Sequence, residues 1–202
     1  MSGSTFWDER YAQEDYVYGE MPNDFLVSQI ARIKPNSKVL CLAEGEGRNA
    51  VYLAQLGHDV TAVDISMVAL DKGRRLADKA GVKVRWQQGD LANYALGEEK
   101  WDLIVAIFMH LPEAIRDRVF AQIKTALRPD GLFIGEFYRP EQLSFKTGGP
   151  QDIKMLYSLC MLDEQLKGLT MSHLQACERE VVEGTGHNGM AAVCQVVAVK
   201  PQ

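Results

Sequence analysis

The sequence contains no apolar run approaching the roughly 18–20 residues that a membrane-spanning helix requires, so no membrane partner is expected. Met1 to Tyr18 has neither a basic segment nor an apolar one, so it does not read as a secretory signal, and the cytoplasm is the expected compartment. Cysteine is sparse: Cys41, Cys160, Cys177 and Cys194 include no CxxC pair, which excludes the common zinc and redox motifs. Cys41 and Cys194 lie in apolar runs and read as buried thiols. His58, His110, His173 and His187 show no HxH or HExxH spacing, so no metal is expected. A basic excess is also missing. Lys and Arg total 22 against 27 Asp and Glu, a net charge of −5. The densest basic pair is Arg74-Arg75, and binding to a polyanion needs a basic face, so nucleic acid is not an expected partner.

What is present is an ordinary globular composition, 47% hydrophobic and 24% charged over 202 residues. That length suits one α/β domain, residues 1–202, with an N-terminal arm at 1–21. Residues 23–33 show near-helical apolar spacing after Pro22-Asn23. KVLCLA (38–43) reads as a strand buried on both faces. A glycine loop follows at Gly45–Gly47, then a helix over 48–56 ending at Gly57. The alternation repeats: a strand at 59–64, a helix capped by Ser66 and ending at Gly81, a strand at 83–87, a strand at 101–108, a helix at 112–127, a turn at 128–131 and a strand at 132–137. A helix is expected over 152–167. Strands at 174–182 and 192–199 follow, joined by a connection too short for a crossover helix. The pattern predicts a three-layer α/β sandwich, a seven-stranded, mostly parallel sheet with a C-terminal antiparallel hairpin.

Glu44-Gly45-Glu46-Gly47-Arg48-Asn49-Ala50 satisfies G-x-G-x-x-[GA] between a strand and a helix, where glycine lets the backbone approach a ligand. Asp64 ends the next strand, where an acid can accept both ribose hydroxyls of an adenosine cofactor. Asp90, in Gly89-Asp90-Leu91, is placed to accept from the adenine amine or to cap its own turn.

Together these residues resemble the class I S-adenosylmethionine-dependent methyltransferases. VLCLAEGEGRNA is similar to that family's first motif, Asp64 to its ribose-binding acid, and Asp90-Leu91 to its adenine-binding pair. The aromatic arm and short length resemble its tellurite-resistance and thiopurine-type small-molecule enzymes. The resemblance implies a Rossmann-like fold with S-adenosyl-L-methionine as cofactor. It assigns to that cofactor Glu44, Gly45, Gly47, Asn49, Asp64, Ile65, Asp90, Leu91 and Phe108. It also implies a small-molecule acceptor, a thiol or chalcogen compound among the candidates, and a monomer or weak dimer. Two positions depart from the pattern: Cys41 stands where the family usually has an acid, and Ala43 where it has glycine. Glu44 is expected to supply the missing charge. His110 is the candidate base, for an amine or hydroxyl acceptor. Phe108-Met109-His110-Leu111 replaces the Asn/Asp-Pro-Pro-aromatic motif of the family's amino-methylating DNA and protein enzymes, which speaks against those targets.

Trp7, Tyr11, Tyr16 and Tyr18 are expected either to form a lid or to pack on the sheet edge. Arg139, Lys146, Gly148, Gly149 and Pro150 follow the fifth strand and are candidates for the acceptor pocket. Two other readings share the glycine fingerprint. An NAD(P)-dependent reductase lacks support, because no Tyr-x-x-x-Lys pair follows the fourth or fifth strand; a non-catalytic cofactor-binding module is the other.

Overall fold

The computed structural model describes residues 3–202; Met1 and Ser2 of the expected arm lie outside the described residues. Seven strands form one sheet: β1 (Lys38–Leu42), β2 (Asp59–Asp64), β3 (Arg85–Gln88), β4 (Trp101–Ile107), β5 (Leu127–Tyr138), β6 (Thr170–Glu183) and β7 (His187–Val199). Their order is β3-β2-β1-β4-β5-β7-β6. β1 to β5 pair in parallel, whereas β7 runs antiparallel to both β5 and β6. The expected architecture is therefore present.

The helices are α1 (Gly3–Tyr11), α2 (Asp24–Ser28), α3 (Arg48–Gln55), α4 (Met67–Ala80), α5 (Glu113–Ala126), α6 (Gln142–Phe145) and α7 (Leu159–Gln165). β1 shows why the sheet needs helices on both faces. Leu40 and Leu42 pack with Val119, Phe120 and Ile123 of α5 on one side. Val39 and Cys41 pack with Leu26 of α2 and Leu53 of α3 on the other. Successive strand side chains point to opposite faces, so an almost continuously apolar strand buries both.

Local chemistry sets the ends of α4: Ser66 Oγ accepts from the Ala69 N–H, and Gly81 closes the helix at φ +67°. Three expected segments differ from the structure. The helix expected over 23–33 is a short α2 followed by a 3₁₀ turn at Ile30–Arg32. Ser28 Oγ bonds back to the Phe25 carbonyl, and the Gln29 N–H closes on Leu26, which tightens the last turn. The turn expected at 128–131 lies inside β5 as a bulge, where two steps along β4 match five along β5. Asp130 there takes φ +61° and donates its N–H to the Lys200 carbonyl, which anchors the bulge to the end of β7. The helix expected over 152–167 is broken because the Tyr157 N–H donates to the Tyr138 carbonyl at 2.9 Å and draws the chain onto the sheet.

The final hairpin is longer than its apolar pattern suggested. β7 pairs with β5 only from Val193 onward, while its pairing with β6 continues back to His187. The hairpin tip therefore overhangs the end of β5 by six positions, about 20 Å of extended chain. Among the described residues, no helix is long and apolar enough to cross a membrane.

Candidate active site

Strand order fixes the order of the side chains along the edge where the parallel strands end. Asp90 follows β3, Asp64 closes β2, Glu44 follows β1, and Phe108 follows β4. With strands about 4.8 Å apart, Asp90 to Phe108 covers about 14 Å, the reach of an extended nucleoside-type ligand. A cavity of about 620 Å³ lies along this edge, and Gly45, Asp64, Asp90, Leu91 and Phe108 all line it. Glu44, Asn49 and Ile65 line it as well.

The glycine loop is shaped by contacts that forbid side chains. Gly45 has φ +62°, and a Cβ there would lie 2.9 Å from the Tyr11 hydroxyl. Gly47 has a different task from the expected one. It does not line the cavity; a Cβ on it would meet the Trp86 ring at 2.5 Å and the Gly73 Cα at 3.0 Å. Its bareness lets α3 approach α4 and β3. Ala43, at the family's usual glycine position, is held at φ +48°. A left-handed alanine costs about 1–2 kcal/mol, and glycine returns part of that through unfolded-chain entropy. Ala43→Gly is expected to raise stability by roughly 0.5–1 kcal/mol in urea unfolding; an equal or lower midpoint at the same slope would contradict the strain.

Asp64 ties the loop to β2. Its Oδ2 accepts from the Gly45 N–H at 2.8 Å and its Oδ1 from the Ser66 N–H at 2.9 Å. Burial pushes its pKa up, against the pull of these N–H groups. Each oxygen keeps a further lone pair for a ligand. Glu44 accepts from the Ala50 N–H at 2.8 Å at the start of α3 and stands against the Cys41 thiol. It thus lies over the position where the resemblance expects an acid. Burial pushes Glu44 up to about 7, although Ala50, Arg48 and Asn49 act to lower it. Asp90 caps its own turn, Oδ1 accepting from the Ala92 N–H at 2.9 Å, and the residue also lines the cavity.

The arm contributes to the cavity wall. α1 brings Phe6, Trp7, Arg10 and Tyr11 to the cavity, and Tyr18 follows. Trp7 stacks on Tyr11 at 5.7 Å, and Tyr11 meets Tyr18 edge-on at 6.1 Å. Tyr16 points elsewhere, its hydroxyl donating to the Lys72 carbonyl. The anchor is Lys72 of α4, fully buried. Its ammonium donates to the carbonyls of Gln13 at 3.0 Å and Asp15 at 2.7 Å and pairs with Glu46 at 2.5 Å. Glu46 in turn accepts from the Tyr18 N–H.

Further site expectations are corrected by the geometry. His110, the candidate base, lines the cavity but spends both ring nitrogens inside the protein. Its Nδ1 donates to the Met155 carbonyl at 2.8 Å, and its Nε2 accepts from the Tyr138 N–H at 3.2 Å. Burial pushes its pKa down to about 4. Neutral and fully engaged, it is a strut. Arg139 does not line the cavity; it pairs with Glu141 at 3.1 Å and Glu178 at 3.4 Å. Lys146 and Gly148 are likewise outside the lining, whereas Gly149 and Pro150 are in it.

Sequence reasoning missed the far end of the cavity. His187 lines it, ringed by Tyr18, Phe108 and Tyr138 at 4.5, 4.6 and 5.2 Å. Behind it runs a buried charge network. Arg48 pairs with Glu183 at 2.5 Å, Arg179 grips Glu136 at 2.6 Å, and Asn23 donates to both carboxylates. No local pattern could reveal these partners, which lie up to 160 positions apart.

Residues 39–131 match the family of the methyltransferase domain. An uncharacterized methyltransferase of Bacillus subtilis, YbaJ, is 28% identical over 131 residues, 63% of this chain and 51% of that protein. The ubiquinone biosynthesis O-methyltransferase of Actinobacillus pleuropneumoniae is 28% identical over 137 residues, 64% of this chain and 57% of that one. The chain spans about half the length of the curated relatives it matches. TehB of Haemophilus influenzae shares the fold with a TM-score of 0.72 at 20% identity, covering 98% of this chain and 66% of that one. The fold, the glycine loop with its acid and the matched stretch of 39–131 resemble those of the class I S-adenosylmethionine-dependent methyltransferases.

Proposed function

We propose that this chain transfers a methyl group from S-adenosylmethionine to a small-molecule acceptor held in the aromatic half of the cavity. The observation that carries the reading is Asp64: a buried carboxylate, bonded to the glycine-loop N–H, on the wall of the same cavity as Asp90 and Leu91. The residues fit the cofactor. Both glycine-loop constraints and the acid are in place, and the volume of about 620 Å³ leaves room for a second small molecule.

When bound, S-adenosylmethionine supplies a methyl carbon already activated by a sulfonium. In this reading Asp64 accepts the ribose hydroxyls, Asp90 the adenine amine, and Ile65 and Leu91 flank the base. Glu44 faces the positive methionine end. Phe108, Tyr18 and Trp7 offer ring faces to a cation and exclude water. Alignment of donor and acceptor supplies up to roughly 7–11 kcal/mol of such a displacement, so few catalytic groups are needed. A cavity roofed by α1 suits a small acceptor over a polymer, in line with the net charge of −5. A thiol or chalcogen acceptor needs little beyond this alignment; a hydroxyl needs a base, and the Actinobacillus relative is an O-methyltransferase.

Asp64→Ala tests the assignment. Loss of a charge-assisted pair of hydrogen bonds weakens S-adenosylhomocysteine binding by about 1.5–3 kcal/mol, roughly ten- to a hundredfold. Isothermal titration of the folded variant measures it. Unchanged affinity would remove Asp64 from the site, and no binding by the unaltered protein would sink the reading.

A further inference from the structure

We propose that His187, backed by Glu183, is the catalytic base for an acceptor that carries a weakly acidic hydroxyl, of the phenol class. The proposal rests on the methyl-transfer reading above and deepens it.

Glu183 and His187 face each other as the last register pair of the β6–β7 hairpin. The overhang of that hairpin places them at the same edge as the ends of the parallel strands. His187 Nδ1 lies 3.6 Å from Glu183 Oε2, slightly beyond a hydrogen bond. This nitrogen is sealed from solvent and has no other partner. A contraction of a few tenths of an ångström makes Nδ1–H donate to the carboxylate, and catalytic contacts commonly tighten in this way when ligand binds. That fixes the tautomer and leaves Nε2 with a lone pair. Among the described residues Nε2 makes no hydrogen bond, and the residue lines the cavity. His110 offers the opposite case, with both nitrogens engaged.

The carboxylate behind the ring is built to stay ionised. Arg48 Nη2 donates to Glu183 at 2.5 Å and Asn23 Nδ2 at 2.9 Å. Against the burial that would raise it, contacts with His187 and Arg48 hold Glu183 at about 2. Burial lowers the pKa of His187, Glu183 acts to raise it, and Arg48 and Arg10 lower it further. At neutral pH the imidazole is therefore uncharged, with its lone pair available. Tyr18 and Phe108 pack on the imidazole at 4.5 and 4.6 Å and line the same cavity, so an acceptor that reaches Nε2 meets aromatic surface, which suits an aryl group. A soft thiolate needs no such dyad; a hydroxyl does.

The step balances. The acceptor oxygen forms a bond to the methyl carbon as the carbon–sulfur bond breaks and its electron pair stays on sulfur. The hydroxyl proton passes to Nε2. The products are a methyl ether, S-adenosylhomocysteine and an imidazolium paired with Glu183, which later returns its proton to water.

Nitrogen-15 NMR of the complex with S-adenosylhomocysteine, assigned by comparison with His187→Gln, reads the tautomer directly. The expected result is a protonated Nδ1 and an unprotonated Nε2 for His187 at pH 7.5; a protonated Nε2 would overturn the proposal. Turnover then separates chemistry from structure, with catechol and thiophenol as acceptors at pH 8. His187→Gln should lower kcat for catechol by about a hundredfold or more, the scale of a lost general base. It should spare thiophenol, which is already thiolate at that pH. Equal losses on both acceptors would mark a merely structural residue. The acid limb of the catechol pH profile should vanish in the variant; the groups facing His187 are Glu183, Arg48, Arg10, Tyr18, Tyr138 and His110, and none but His187 is altered. A protein that binds S-adenosylhomocysteine but methylates no phenol would overturn the acceptor class alone. One that fails to bind it would overturn the underlying reading instead.

Discussion

Replacing Lys72 with methionine is expected to lower stability by about 3–5 kcal/mol, the cost of leaving a buried carboxylate without its partner. For a domain of this size that corresponds to a fall in Tm of roughly 6–20 °C. Both side chains of the Lys72–Glu46 pair are 3% exposed or less, so water cannot take the place of the missing ammonium. The substitution also takes from the carbonyls of Gln13 and Asp15 the ammonium that ties the arm to α4. Lys72→Met should therefore loosen the arm as well as the core, with faster amide exchange at residues 11–18. Removing the stranded charge as well, in Lys72→Met/Glu46→Leu, should recover more than half of the loss, because a buried pair replaced by apolar groups is often near neutral. Thermal unfolding of the two variants measures both effects. Equal stability of Lys72→Met and the parent protein would show that the pair does not hold the arm.

The same anchor explains why the arm was legible only in part. Its aromatics could be read as a lid or as packing, and the structure divides them: Trp7, Tyr11 and Tyr18 line the cavity, whereas Tyr16 turns to Lys72. Which ring does which depends on a lysine some 60 positions away, and no local pattern carries that. The glycine loop, Asp64 and the capping Ser66 were legible because strand, turn and helix follow one another within a few residues, each with its own local chemistry. The bulge in β5 was not, since Arg128-Pro129-Asp130-Gly131 has turn chemistry and only the pairing with Lys200 makes it strand. His187 was invisible for a related reason. It follows a glycine turn like many surface residues, and only the overhang of a long antiparallel hairpin carries it to the cavity. Gly47 shows a subtler failure: the motif was recognised, but the ring of Trp86 rather than a ligand occupies the space beside it.

Glu44 makes cofactor affinity depend on pH in a direction that the structure fixes. In the free protein burial holds its carboxyl at about 7, above its ordinary value of 4.5. Protonated, the group favours the fold; that contribution is fully present below 4.5 and is lost as pH rises through 7. A ligand ammonium set against Glu44 reverses the preference, because the positive amino group stabilises the carboxylate and lowers its pKa in the complex. Binding at pH 6 must then expel a proton, whereas binding at pH 8 finds the carboxylate already charged. Affinity for S-adenosylhomocysteine should rise by up to about tenfold per pH unit below 7 and level off above it, since one pKa unit corresponds to 1.36 kcal/mol. Titrations at pH 6 in two buffers of different ionisation enthalpy would count the released proton. Glu44→Gln, which keeps an acceptor for the Ala50 N–H, should bind more weakly at pH 8 and lose the slope between 6 and 7. A slope that persists in Glu44→Gln would transfer the titration to another group and leave Cys41 without the compensating acid that its position calls for.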